Sequence, residues 1–150
     1  MREHALARTR IVAELVESGL VVARFVTSNV ITELGDALMC GRFLASPGAL
    51  FTHMAIGTGS GGSALSTTLV AEVARVAFDS LTQGSGANDN LLSVVATFAA
   101  GTGTGTISET GLLTASSGGT LFNYATLVPS IPKGAGQGLV LTHEIRFGLS

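Results

Sequence analysis

Short apolar runs recur along most of this chain, and glycine interrupts them at close intervals. The runs at 76–82, 91–100, 106–114, 120–128 and 138–148 predict strands. Their separators are Gly84-Ser85-Gly86, the Gly-Thr-Gly-Thr-Gly run at 101–105, Ser117-Gly118-Gly119 and Gly134-Ala135-Gly136. A further strand is predicted at 51–56. Strands at this spacing, with glycine turns and no long helix, argue for an all-β fold, an antiparallel β-sandwich or barrel-like body.

The first third is built differently. Only four of the twenty glycines precede residue 57: Gly19, Gly35, Gly41 and Gly48. Residues 9–27 are dominated by β-branched side chains around a central Ser18-Gly19, which predicts two strands and a tight turn. Ala5, Leu6, Ala7, Ala13 and Leu15 also fit a helix over 3–17 with Gly19 just past its end. The Val-rich half after Gly19 favours the hairpin. Residues 32–44 predict a short helix, with Thr32 as N-cap and Glu33 and Asp36 in the first turn. Ser46-Pro47-Gly48 ends it. A second short helix is predicted at about 66–75, where Glu72 and Arg75 would pair one turn apart. The expected organisation is an N-terminal arm or β-hairpin over 1–28 and a β-rich body over 29–150.

Composition changes this picture in one respect. Hydrophobic residues make up 46% of the 150 residues and charged ones only 12%, about half the share in an ordinary soluble domain. Mean hydropathy is +0.52. A surface so short of charge calls for cover by a membrane, by a partner or by further copies of the chain. No apolar run reaches the length of a membrane-spanning helix. One Tyr and no Trp argue against the aromatic girdles of an outer-membrane barrel. A net charge of −2 gives nucleic acid no electrostatic foothold. No secretion signal is evident at the start.

Candidate chemistry is sparse. Cys40 is the single cysteine, so an intrachain disulfide is excluded, and its apolar surroundings predict a small buried hydrophobe. His4, His53 and His143 lack metal-ligand spacing. Glu109 and Glu144 could meet across a sheet, but nothing marks them as an acid–base pair. Gly57-x-Gly59-x-x-Gly62 matches the dinucleotide fingerprint, with Asp79 at the distance of a ribose-binding acid. The following helical stretch is too short for a crossover to a parallel strand, and no strand–helix unit repeats downstream. The glycines are therefore read as turn residues. No catalytic residue, cofactor or metal is expected, and the chain is not expected to be an enzyme.

Several segments, taken in order, carry a resemblance. They are Asn29-Val-Ile-Thr-Glu-Leu-Gly35, Phe51-Thr-His-Met-Ala-Ile-Gly-Thr-Gly59, Thr68-Leu-Val-Ala-Glu-Val-Ala-Arg75, Thr106-Ile-Ser-Glu-Thr-Gly-Leu-Leu113, Leu121-Phe-Asn-Tyr-Ala-Thr126 and Leu139-Val-Leu-Thr-His-Glu-Ile-Arg-Phe147. This series resembles small virion structural proteins of tailed bacteriophages. Such proteins often show an Ile-Gly-Thr-Gly turn, a Leu-x-x-Glu-Val-x-Arg helix and an Ile-x-Glu-x-Gly-Leu strand. The likeness covers roughly residues 29–148. The chain departs from it in the last strand, where His143-Glu144 stand in place of a frequent Trp. The resemblance implies a non-enzymatic subunit of the virion, assembled in the host cytoplasm. A capsid decoration or cement protein is expected, with a tail, baseplate or fibre component as the alternative. The expected partners are the chain itself, as a trimer, and the major capsid protein or tail proteins, with no nucleic acid and no membrane. Residues 1–28 would be the clamp, making contacts through Val21, Val22, Phe25 and Val26.

Overall fold

A computed structural model describes residues 7–41 and 50–147. The predicted helix end at 42–44 and the Ser46-Pro47-Gly48 stop lie outside the described residues. The strands are β1 (Ala7–Glu17), β2 (Leu20–Thr27), β3 (Val30–Ile31), β4 (His53–Gly57), β5 (Glu72–Ala77), β6 (Ser80–Gln83), β7 (Leu91–Phe98), β8 (Gly105–Leu113), β9 (Leu121–Lys133) and β10 (Gly138–Phe147). One helix, α1 (Glu33–Gly41), follows β3, and a 3-10 turn at Gly86–Asn88 precedes β7. Two antiparallel five-stranded sheets form, in the orders β2-β1-β10-β7-β6 and β3-β9-β8-β4-β5. The all-β sandwich-like body expected from the sequence is present.

Alternation along the strands places one face of each sheet in a shared core. The first sheet contributes Ile11, Ala13 and Leu15 from β1, Val94, Ala96 and Phe98 from β7, and Leu139, Leu141 and Ile145 from β10. The second contributes Met54 and Ile56, Ile107 and Leu112, and Ala125, Leu127 and Ile131. α1 begins at the predicted cap: the Gly35 N–H donates to Thr32 Oγ1 at 3.0 Å. Gly35 is needed there because a Cβ would run into the Phe122 carbonyl on β9, so the helix lies directly on the strand.

Three expectations are corrected. Residues 66–75 are not helical: they form a loop that runs into β5, which pairs with β4 from His53↔Ala77 to Gly57↔Glu72. Local propensity loses here because the amides of Val70 and Ala71 find a side-chain acceptor on β8. The single strand predicted at 76–82 is broken at Phe78-Asp79, where the chain changes sheets. The Phe78 N–H donates to Thr52 beside β4, and the Asp79 N–H to Val95 in β7.

The third correction concerns the N-terminal segment. It is a hairpin, but it is not an arm separate from a body beginning at 29. β1 lies inside the first sheet, paired with β2 on one side and with β10 from Ala7↔Phe147 to Val16↔Gly138 on the other. Ile11 is fully buried, Ala13 is 1% exposed and Leu15 6%. A strand that supplies core side chains and bridges two neighbours belongs to the body.

Candidate functional site

The hairpin turn is Ser18-Gly19, both in the left-handed region with φ of 50° and 78°, as a two-residue turn between right-twisted strands requires. Beyond it β2 ends the sheet. Leu20, Val21, Val22 and Val26 are between 50% and 71% exposed. Three of the four expected contact residues therefore lie open on one strand. Phe25 does not: with Ala23 it packs, half-buried, against the core. On the outer face Val26 opposes Val12 and Val21 opposes Val16. Two exposed ion pairs border these valines, Arg24–Glu14 at 3.5 Å and Arg10–Glu144 at 3.2 Å. Pairs this exposed contribute little energy, but each sets a carboxylate beside the arginine nearest the valines.

A second feature lies on the outer face of the other sheet. Glu109 is fully buried, under a lid formed by the 58–71 loop. Its carboxylate accepts the N–H groups of Gly59 at 3.2 Å, Val70 at 2.9 Å and Ala71 at 2.6 Å, and the Tyr124 hydroxyl at 2.8 Å. Ala55, Leu69, Leu113, Leu121 and Tyr124 form a small apolar cluster on this side. The glycines of Gly57-x-Gly59-x-x-Gly62 serve close approach. A Cβ on Gly57 or Gly59 would strike Glu109, and one on Gly62 would strike the Tyr124 ring. Neither Gly57 nor Gly59 has a positive φ. The loop amides that a phosphate would need are thus bound to an internal carboxylate. Burial raises the Tyr124 pKa, and donation of its proton to Glu109 raises it further.

A third group sits in the core. His143, on β10, is fully buried. Its Nδ1 lies 3.2 Å from Asn123 Nδ2 and its Nε2 3.4 Å from Thr110 Oγ1. Asn123 Oδ1 accepts the Leu112 N–H, so its amide nitrogen is the group that faces His143 and donates. Nδ1 therefore accepts, the ring proton sits on Nε2, and Thr110 sends its own proton to the Ala55 carbonyl at 2.8 Å. The arrangement suits a neutral imidazole, and burial pushes the His143 pKa down to about 3.

Little else can do chemistry. Glu109 and Glu144 do not meet: Glu144 pairs with Arg10 on the outer face of the first sheet, while Glu109 is held under the loop of the second. Glu72 and Arg75 do pair, at 2.7 Å, within a strand rather than a helix. Cys40 is exposed, contrary to its expected burial. α1 turns Gly35, Leu38 and Met39 inward, which leaves Cys40 on the solvent side. Among the described residues no group of three or more His, Cys, Asp and Glu could hold a metal. Lys133, the only lysine, is 2% exposed. Its Nζ donates to the Ala99 carbonyl at 3.1 Å, and burial lowers its pKa.

The Glu109 and His143 groups escaped the sequence reading. One signal was present: Thr110-Gly-Leu-Leu113 and Leu121-Phe-Asn-Tyr-Ala125 carry few polar residues at either parity, which marks strands covered on both faces. An acid or a histidine inside such a strand must find internal partners. In comparison with known proteins, no family model matches the chain, and no curated protein or solved structure matches it either.

Proposed function

We propose that this chain is a non-catalytic structural subunit that assembles with copies of itself, and that the assembly is part of a bacteriophage virion, as a capsid decoration protein. The observation that carries the self-assembly reading is the hairpin: Leu20, Val21, Val22 and Val26 stand open on one strand, in a chain with 12% charged residues. Apolar side chains gathered in this way mark interaction surfaces. The virion assignment rests on the resemblance of residues 29–148, and the major capsid protein is the partner it names. The polar groups in the interior agree with a structural role, since Glu109 and His143 are occupied in holding strands and a loop together.

The test is molar mass by light scattering, for the parent chain and for a variant carrying Val21→Lys and Val26→Lys. The parent is expected to exceed 15.1 kDa in solution. The variant is expected to fall to monomer with an unchanged circular dichroism spectrum, and to lose co-sedimentation with capsids. A parent chain that is monomeric at all concentrations sinks the self-assembly reading. Co-sedimentation with tails but not with capsids moves the subunit to the tail.

A further inference from the structure

We propose that β2 is a homotypic pairing edge: two copies of the chain join β2 to β2, antiparallel, about a two-fold axis at Phe25, and fuse two five-stranded sheets into one of ten. This rests on the self-assembly reading and names the strand and register through which assembly occurs. The last strand of a sheet presents a row of unpaired N–H and C=O groups, a template for another strand. The described sheets have four such ends. β3 has two residues and β6 four, too short to hold a partner. β5 carries Glu72 and Arg75, and the Arg75 guanidinium is held by the carbonyls of Ala115 and Gly118. β2 is eight residues long, contains neither proline nor lysine, and has one charge, Arg24, which Glu14 neutralises at 3.5 Å. Among the described residues it is the longest of the four end strands and carries the fewer charges of the two longer ones.

The register follows from geometry. A two-fold axis normal to the sheet keeps core-facing residues on the core side in both copies. Directly opposed residues must then share a face, so the axis passes through a residue and not between two. The bulge at Val22, between the pairs Leu15↔Ala23 and Val16↔Val21, confines the regular ladder to Ala23–Thr27, and β-bulges turn an edge away from further pairing. The midpoint of those five residues is Phe25. An axis at Arg24 would set two guanidinium groups against each other, and an axis at Ala23 would run Arg24 into the bulge of the other copy. With the axis at Phe25, all five residues pair. Phe25 meets its own copy at the margin of the two cores, where aromatic cross-strand pairs are favourable. Val26 of each copy lies against the aliphatic stem of Arg24 of the other. The occupant is a second copy because the edge offers no net charge for a foreign strand to read, while its own length and face pattern match it residue for residue. Such a pair gives assemblies of even order, in place of the threefold order expected from the sequence.

Cross-linking tests this. Cys40 is exposed and is the only cysteine, so Cys40→Ser supplies a clean background. Opposed residues of an antiparallel pair lie about 4.5–5.5 Å apart at Cα, within disulfide range. In that background, Phe25→Cys is expected to give a disulfide-linked dimer on mild oxidation, with at least tenfold the yield of Val73→Cys on β5. Should Phe25→Cys fail to fold, a mixture of Arg24→Cys and Val26→Cys chains replaces it. Both positions are exposed, and the mixed dimer is expected to dominate over either self-link. An assembly that persists by light scattering but links no better than the Val73→Cys control overturns the β2 edge and leaves self-assembly standing. A trimer likewise overturns the two-fold pairing alone. A monomer at every concentration overturns both.

Discussion

His143 should make the fold sensitive to acid. The unfolded chain binds a proton at this residue near pH 6.5, whereas the folded chain binds it only near pH 3, because burial disfavours the charged ring. Below pH 6.5 the unfolded state therefore holds more protons at this position, and stability falls as pH falls. The loss begins near 6.5 and is complete near 3. Linkage puts it at about 2 kcal/mol by pH 5 and about 3 kcal/mol by pH 4, a large part of the 5–15 kcal/mol typical of a domain. The local geometry points the same way. A proton added at Nδ1 would face the Asn123 amide nitrogen, itself a donor, and the strand neighbours Ile11 and Val94 are apolar. The assay is urea unfolding at pH 7.5, 6, 5 and 4 for the parent and for His143→Gln, which keeps a polar side chain that does not titrate. The parent should lose stability more steeply, by about 1.2 kcal/mol per pH unit between 6 and 4. Parallel curves for the two proteins across that range would refute the reasoning.

Glu109→Ala leaves three amides and the Tyr124 hydroxyl without their acceptor. It should cost about 3 kcal/mol or more, seen as a lower thermal midpoint with faster hydrogen exchange confined to residues 59–71. Gly59→Val should destabilise by overpacking against Val70 and Glu109, and neither it nor the parent should bind a dinucleotide in a calorimetric titration. Lys133→Met removes a buried ammonium that has no carboxylate partner among the described residues. It should change stability by less than about 1 kcal/mol or raise it, as read by denaturant titration. Deleting residues 1–28 removes both β1 and β2, leaving β10 without its partner on that side, and should abolish the β-sheet circular dichroism signal. A truncated chain that keeps that signal would restore the separable arm.

Strand content was legible because alternation and glycine turns speak locally. β7, β8 and β10 fall within a residue or two of their predicted bounds, and Thr32 caps α1 as its residue type implies. The errors arose where a distant side chain decides. Nothing near residues 66–75 shows that Glu109, some forty positions downstream, will take the Val70 and Ala71 amides. Likewise the apolar outline of β2 reads as a detachable clamp until β10 is seen to pair with β1. Phe25 and Val26 split by the strand period, one inward and one outward, whereas the bulge at Val22 leaves both Val21 and Val22 exposed, which no alternation in the sequence shows.

The pairing of β1 with β10 also governs the order in which the fold can be completed during synthesis. The hairpin over residues 7–27 is made well before the strand that completes its sheet, which ends at Phe147. At cellular elongation rates that interval is roughly 6–24 s. A two-stranded hairpin is marginal in water by itself. For those seconds the nascent chain displays its Val-rich ribbon with neither the β10 strand nor the opposite sheet to cover it. Many ribosomes making this protein side by side would hold many such ribbons in proximity, so avoidance of premature ribbon-to-ribbon association is a requirement placed on the cell's chaperones by the topology itself.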